Sequence, residues 1–310
     1  LSLDELTTLE VTTVSRKAEP LHRAAAAVFV IDAEDIRQSG VRSIPEALRM
    51  APGVHVARLD ASRWAVTARG LNGHFANKLL VMIDGRTVYS PFFSGVFWDS
   101  QDVVLADIER IEVIRGPGAS LWGANAVNGV INIITKHSQD SQGNYLLLGA
   151  GNEERGFATV RHGGRLGAAT TYRVYVKGLE RDGSLLTADG ADGADDWRQA
   201  RSGFRLDYEG SGRDRWMVQG NAYFTDVGNM VTYVEPSPPF FNPAAPSKTR
   251  NRSRGLDVQT EWQRRLAPRS DVRLRGYIEA LERDSAFFEL TRETLNLEAQ
   301  QRFPLARHID

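Results

Sequence analysis

Four glycines, Gly116, Gly118, Gly123 and Gly129, follow an alternating run of apolar and charged residues from Ile108 to Arg115. A glycine-rich loop after a strand is a setting in which backbone amides cradle phosphate. The spacing is Gly-x-Gly-x-x-x-x-Gly, no Walker lysine follows, and the sequence after Gly129 is β-rich, so no sustained helix offers its N-terminus to a nucleotide. The six histidines, His22, His55, His74, His137, His162 and His308, form no His-x-x-x-His pair, and there is no cysteine, which argues against a tight transition-metal site. Ser15, Ser90 and Ser120 lack the setting of a nucleophile elbow. Asp189, Asp192, Asp195 and Asp196 offer oxygen ligands without the order of an EF-hand, and a solvated acidic loop is the reading taken. With no catalytic constellation, neither an enzyme nor a cofactor or metal site is expected.

Two other groups have chemistry to offer. Arg69 and Arg115 each stand in an Arg-Gly pair at the end of an apolar strand, where a guanidinium can meet a carboxylate in a fork; the bland alternative is a solvated strand end. Tyr89, Phe92, Phe93, Phe97 and Trp98 cluster in a loop with Ser90, Pro91, Ser94 and Gly95. Such aromatics can grip a ligand, and burial explains them as well.

The chain has 310 residues, 42% of them hydrophobic, enough for two domains. A net charge of -1 and the lack of a long basic block exclude the electrostatic footprint of nucleic-acid binding. The longest apolar run, residues 24–31, is far short of the roughly 18 to 20 residues of a membrane helix. The chain is therefore soluble or crosses a membrane as strands. It opens on Leu1 with no signal peptide, so a processed or cropped form is expected. Residues 1 to about 20 show little periodicity and are expected to be mobile.

Beyond them, Val28 to Ile31 reads as a strand, and Asp32 caps a short helix through Gln38 with Gly40 after its end. Ser43-Ile44-Pro45-Glu46 reads as a capping box that opens a second helix, stopped at Pro52-Gly53. Asp84-Gly85 reads as a hairpin turn. Short helices among strands predict an α+β globule. From Gly143 the texture changes to segments that alternate charged and apolar residues, such as 173–177, 204–208 and 256–262, about eight in all. Long polar loops over 182–201 and 226–252 lie between them, and short turns such as Gly163-Gly164 and 210–212 separate others. Alternation alone fits a soluble sandwich as well as a barrel.

The stretch 107–136 resembles the end of the plug domain of TonB-dependent outer-membrane receptors. Ala68-Arg69-Gly70-Leu71 and the run Leu79, Val81, Ile83, Asp84, Gly85, Arg86, Val88 stand in the plug's order, and the match is continuous from about Leu9 to Lys136. The resemblance implies an α+β plug domain inside an antiparallel transmembrane β-barrel, of which this chain holds about eight of about 22 strands. It divides the chain into a flexible segment 1–19, a plug 20–138 and barrel strands 143–310. Leu9, Glu10, Val11, Thr12, Thr13, Val14 and Ser15 resemble the TonB box, an extended β-prone peptide that can add itself to a partner's sheet edge; an ordinary first strand is the alternative.

In such receptors the arginines matching Arg69 and Arg115 pair with glutamates of the barrel wall, here expected beyond residue 310. Plug apices face the outside, which makes Tyr89, Phe92, Phe93, Phe97, Trp98, Arg63, Trp64, Asn72, His74 and Asn77 candidates for substrate contact. The function implied is active uptake across the bacterial outer membrane, driven by TonB and its inner-membrane energising complex. The cargo would be a ferric siderophore, haem, cobalamin, a metal complex or a glycan. Outer-membrane lipid and that small molecule are the further partners. The rival is a soluble periplasmic or secreted module with a β-sandwich second half.

Overall fold

The computed structural model describes residues 10–13, 19–20, 22, 26–70, 72–73, 75–116, 119–123, 125–186, 190–210, 212–231, 234–235, 242–243, 246–267 and 270–303. The chain divides into two compact units, Leu1–Lys136 and His137–Asp310.

The first unit is built on a five-stranded mixed sheet. Its strands are β1 (Ala27–Asp32), β4 (Leu79–Ile83), β5 (Arg86–Thr87), β6 (Ile108–Arg115) and β7 (Gly129–Thr135), in the order β1-β6-β7-β4-β5. Between β1 and β4 come helices α1 (Ala33–Ser39) and α2 (Ile44–Leu48) and the hairpin β2 (Val54–Arg58) with β3 (Trp64–Ala68). Helix α1 starts at Asp32 with a full capping box to Asp35 and ends at Gly40 in the left-handed region. At α2, Ser43 caps the Glu46 amide as expected, but the Glu46 carboxylate accepts from the Arg42 amide (2.8 Å) and not from Ser43, so the box closes one residue early.

Successive side chains of β6 and β7 point to opposite faces of the sheet, and residues of both faces are buried. Ile31, Val81, Ile83, Ile111, Val113, Ile131 and Ile133 share one face with the helices and form the main core. Leu80, Met82, Ile114 and Val130 make a smaller cluster on the other. In the middle of that second face, Val30, Glu112, Asn132 and Met82 stand in one cross-strand row. Two of the four are polar, and both are buried. A buried polar row requires partners.

Among the described residues the second unit is built on one antiparallel meander of eight strands, with a two-residue ladder of its own, Val234–Glu235 against Asn242–Pro243, in one connection. In order these are β8 (Gly143–Gly149), β9 (Glu154–Leu166), β10 (Thr170–Arg181), β11 (Trp197–Glu209), β12 (Asp214–Val231), β13 (Ser247–Ala267), β14 (Ser270–Ser285) and β15 (Phe288–Arg302). A single sheet of sequential neighbours is not the two facing layers of a sandwich. One face carries apolar rows in the open: Val176, Val160 and Leu146 lie side by side on β10, β9 and β8, as do Ile278 and Leu295 on β14 and β15. Near the short turns, Tyr208, Trp216 and Trp262 form an aromatic row on the same face, the two tryptophan rings 5.9 Å apart. An apolar band bordered by aromatics is the lipid-facing signature of an outer-membrane strand. The other face is polar, with Arg161, Arg173, Arg201, Gln219 and Gln259 buried along it.

All eight expected strands are present and most are longer than alternation indicated. The loop expected over 182–201 gives way to β11 at Trp197, and the loop expected over 226–252 is shortened from both sides, to Val231 and from Ser247. Charge masked these extensions. Past the apolar band the strands continue with cross-strand ion pairs, Arg250–Asp226 (2.6 Å), Arg254–Glu282 (2.5 Å) and Arg198–Glu180 (2.9 Å), which read as loop in a sequence.

Candidate functional site

The residues expected to form a mobile box do not lie loose where the structure describes them. Glu10–Val11 pairs antiparallel with Glu19–Pro20, and Val11 is 0% exposed. The backbone amides of Thr12 (3.1 Å) and Thr13 (2.8 Å) both donate to the Glu112 carboxylate, as do the Thr13 hydroxyl (2.5 Å) and the Thr12 hydroxyl (3.3 Å). Arg110 Nε completes the shell of Glu112 at 2.9 Å. Asn132 donates to Thr13 Oγ1 (3.1 Å) and the Trp122 indole to the Thr13 carbonyl (2.9 Å). Residues 12 and 13 thus partner Glu112 and the Asn132 amide nitrogen, while Asn132 Oδ1 is buried without a hydrogen-bond partner. Leu9, Val14 and Ser15 lie outside the described residues.

The two Arg-Gly pairs come together. A Cβ at Gly116 would sit 3.2 Å from Arg69 Nη1, and one at Gly53 would sit 3.4 Å from Arg115 Cδ, so each arginine lies against a glycine. Arg69 has a φ of 52°, and Arg115 Nε is buried without a hydrogen-bond partner. Among the described residues neither guanidinium has an acidic partner within 4.0 Å.

The expected apices separate into two groups. Trp64, 2% exposed, belongs to the main core, its ring between the guanidinium groups of Arg49 (5.6 Å) and Arg58 (5.8 Å). Trp98 is in the same core and Phe97 is buried, so these three are packing residues, a correction that follows from their strands and turns being covered on both sides. Arg63 is ion-paired with Asp60. Asn72 is exposed and donates to the Ala65 carbonyl (3.2 Å), Asn77 is exposed, Tyr89 is half-buried, and His74 lies outside the described residues.

The remainder is a compact aromatic turn. Ser90 and Gly95 bridge (2.7 Å), Phe93 meets Phe97 edge-on at 4.7 Å and Phe75 at 5.2 Å, and Phe92 stands half exposed. In the acidic loop, Asp192 pairs with Lys248, Asp195 accepts from Ser184, Asp196 pairs with Arg250, and Asp189 lies outside the described residues. Among the described residues no cluster of three or more His, Asp or Glu side chains could hold a metal ion.

Residues 20–130 match the family described as the TonB-dependent Receptor Plug Domain. Over 154 residues, 49% of this chain, the sequence is 34% identical to the vitamin B12 transporter BtuB of Vibrio vulnificus (strain CMCP6), of which it covers 25%. The chain carries the plug domain of a TonB-dependent receptor. This receptor chain is also 32% identical over 183 residues, 56% of its length, to the iron-regulated outer membrane virulence protein of Vibrio cholerae serotype O1 (strain ATCC 39315 / El Tor Inaba N16961), covering 28% of it. It thus spans about a quarter of the length of these curated relatives.

The fold is similar to that of the siderophore receptor PiuA from Acinetobacter baumannii, with a TM-score of 0.65 at 17% identity, over 91% of this chain and 40% of that one. The open form of the ferric-catecholate import receptor Fiu from E. coli K12 gives 0.64 at 16%, over 91% and 45%. A plug domain followed by antiparallel strands of an outer-membrane barrel is therefore the architecture of the receptor.

Three residues of the receptor's plug escaped sequence reasoning. Glu112 and Asn132 sit on strands already recognised, but their partners are about 100 or more residues away. Phe75 stands 18 positions before Phe93, and a lone aromatic between His74 and Ala76 gives no signal.

Proposed function

We propose that the whole receptor carries out TonB-dependent active transport of a scarce nutrient across the outer membrane. The observation that carries this is the plug domain of residues 20–130 joined to strands whose exposed face is an apolar band with an aromatic border. In this reading the strands are the first part of a barrel that encloses the plug, and residues 9–15 are the box to which TonB and its energising complex attach. Strand addition suits that role because Val11, Thr12, Thr13 and Val14 are β-branched and uncharged.

Arg69 and Arg115 are the plug side of a reversible lock to barrel carboxylates. The buried, unpartnered Arg115 Nε supports this, since such an atom calls for an acceptor. Substrate meets the aromatic turn around Phe92 and Phe93. Cobalamin and ferric siderophores lead the cargo candidates, because relatives and structural neighbours carry those names; haem, other metal complexes and glycans complete the panel.

Deleting the gene and scoring growth and uptake on cobalamin, ferric siderophores, haem and glycans tests the reading. Loss on one source, restored by the intact gene, is the expected result. Unaltered uptake on every source in a strain lacking other receptors for them would overturn it.

A further inference from the structure

Alternation leaves one ambiguity in the second unit. A slip of one residue between antiparallel strands exchanges the two faces, but a slip of two returns every side chain to its own face. Burial alone therefore does not choose between registers two residues apart. A short hairpin makes that choice through its turn, as between β13 and β14, joined by residues 268–269. The pairs β10–β11 and β12–β13 are joined through residues 182–196 and 232–246 and receive no such constraint from a tight turn.

At both of those pairs an aromatic ring on the polar face stands directly opposite a glycine, Tyr175 opposite Gly203 and Tyr223 opposite Gly255. The rings lie across the glycines. A Cβ at Gly203 would fall 2.6 Å from Tyr175 Cε1, and one at Gly255 would fall 2.6 Å from Tyr223 Cζ. Tyr175 thus passes over β11 and donates from its hydroxyl to Asn221 Oδ1 on β12 at 2.7 Å, and Asn221 donates in turn to Asp257 Oδ1 on β13 at 3.0 Å. Tyr223 carries the Arg201 guanidinium over its ring, 4.7 Å from the centroid. Slipped by two residues, the Tyr175 ring would meet Arg201 or Arg205 in place of Gly203, and the Tyr223 ring would meet Ser253 or Asp257 in place of Gly255. Each alternative puts a side chain into the volume that the ring occupies.

We infer that Tyr175–Gly203 and Tyr223–Gly255 are register keys: ring and glycine fit in one alignment and select it over those two residues away, at the two strand pairs whose connections do not. Glycine inside a strand is otherwise a weak choice, with no side chain to pack, and the ring supplies the missing cover. Phe204 opposite Gly220 repeats the fit on the apolar face between β11 and β12, where the short connection 210–213 already fixes the alignment. The consequence reaches the whole wall. Its strands pair in sequence order, so a slip at either key displaces all later strands against all earlier ones, and a barrel closes only at a fixed stagger.

The chain has no cysteine, so introduced pairs report the alignment directly. On the apolar face Ala222 stands opposite Leu256, and a slip of two would bring it opposite Arg254 or Val258. Full-length receptor carrying Ala222→Cys with Leu256→Cys, Arg254→Cys or Val258→Cys is oxidised in outer membranes, with Tyr223 intact, as Tyr223→Phe and as Tyr223→Ala. With the ring present only the native pair is expected to cross-link, since a disulfide needs Cβ atoms about 4 Å apart and diagonal neighbours stand roughly 7 Å apart. In Tyr223→Ala the slipped products are expected to rise about tenfold or more, while Tyr223→Phe stays native.

A variant with both Tyr223→Ala and Gly255→Ala returns a side chain to β13 without the ring, and it separates alignment from packing. Slipped products are expected there as well. Native cross-links alone in the ring-less variants, or the absence of both variants from the membrane, overturn the key. Slipped products in Tyr223→Phe overturn it too, because they assign the choice to the hydroxyl and not to the fit of ring and glycine.

Discussion

Asp84 closes a hairpin and at the same time holds a strand that is not part of it: its carboxylate accepts the backbone amide of Thr135 at 2.8 Å and the Thr135 hydroxyl at 2.9 Å. Asp84 and Gly85 both have positive φ, 50° and 79°, the pair required by a two-residue turn between β4 and β5. Asp84 is therefore fixed by two demands, a left-handed backbone and an acceptor at the end of β7.

The first prediction separates those demands. Asp84→Ala loses two charge-assisted bonds and places alanine in the left-handed region, a combined cost on the order of 3 kcal/mol. Asp84→Gly loses the same bonds without the backbone strain and should cost less by about 1 kcal/mol. Chemical denaturation of both variants, followed by exchange at residues 79–87, measures the difference. Equal destabilisation would show that the turn carries no backbone demand.

Gly95 governs the aromatic turn. A Cβ there would lie 2.4 Å from Phe93 Cε2 and 2.6 Å from the Ala76 carbonyl, distances that no side chain adopts without displacing one of them. Gly95→Ala should therefore break the edge-on contacts of Phe93 with Phe75 and Phe97, worth about 1 kcal/mol each, and weaken cargo binding while the core around Trp64 keeps its stability. Equilibrium binding of the identified nutrient alongside thermal unfolding checks both halves. Unchanged affinity removes the turn from the cargo site.

How far the sequence disclosed this arrangement depends on the range of each signal. Strand β6 was legible from its alternation of apolar and charged residues and β7 from its apolar run after Gly129, and Asp32, Gly40 and Ser43 announced helix ends through local chemistry. The same alternation gave no sign that Glu112 stands on a covered face. That face is covered by residues 12 and 13, a contact across 99 positions that no local pattern encodes. Trp64 misled for a related reason: it lies beside polar Arg63 and near a loop, but β3 is buried at every position. In the second unit, charge at the strand ends concealed pairing that Arg250, Arg254 and their carboxylates stabilise.

Acid should loosen the loop before β11. The Ala194 amide (2.9 Å) and then Lys248 (3.3 Å) hold the Asp192 carboxyl below its ordinary value. A folded value below that of the free chain means that the contribution is complete above about pH 4, the unperturbed aspartate range, and is lost as pH falls through the lower folded value. Exchange at residues 190–195 should rise on acidification below about pH 4 in the wild type and be less pH-dependent in Asp192→Asn. Matching profiles would assign the loop's order to other contacts.

The strongest local prediction concerns the segment that opens the second unit. Ser138 is buried, its amide donating to Asp207 Oδ2 at 2.9 Å and its hydroxyl 2.7 Å from Thr171 Oγ1. Asp207 also takes Arg205 Nε at 2.8 Å and Nη2 at 3.0 Å, and His137 Nε2 lies 3.5 Å away. One carboxylate thus ties residues 137 and 138 to β11. Asp207→Ala removes two acceptors from the Arg205 guanidinium and takes away the acceptor of the buried Ser138 amide, and should cost on the order of 3 kcal/mol locally, whereas Ser138→Ala removes one neutral hydroxyl bond and should cost about 1 kcal/mol. Exchange at residues 137–142, read against β12 as a control, is expected to rise in that order. If the two variants exchange equally, the segment is held by its hydroxyl and by Gln142, whose side chain donates to the Ser138 carbonyl at 2.7 Å, and not by the carboxylate.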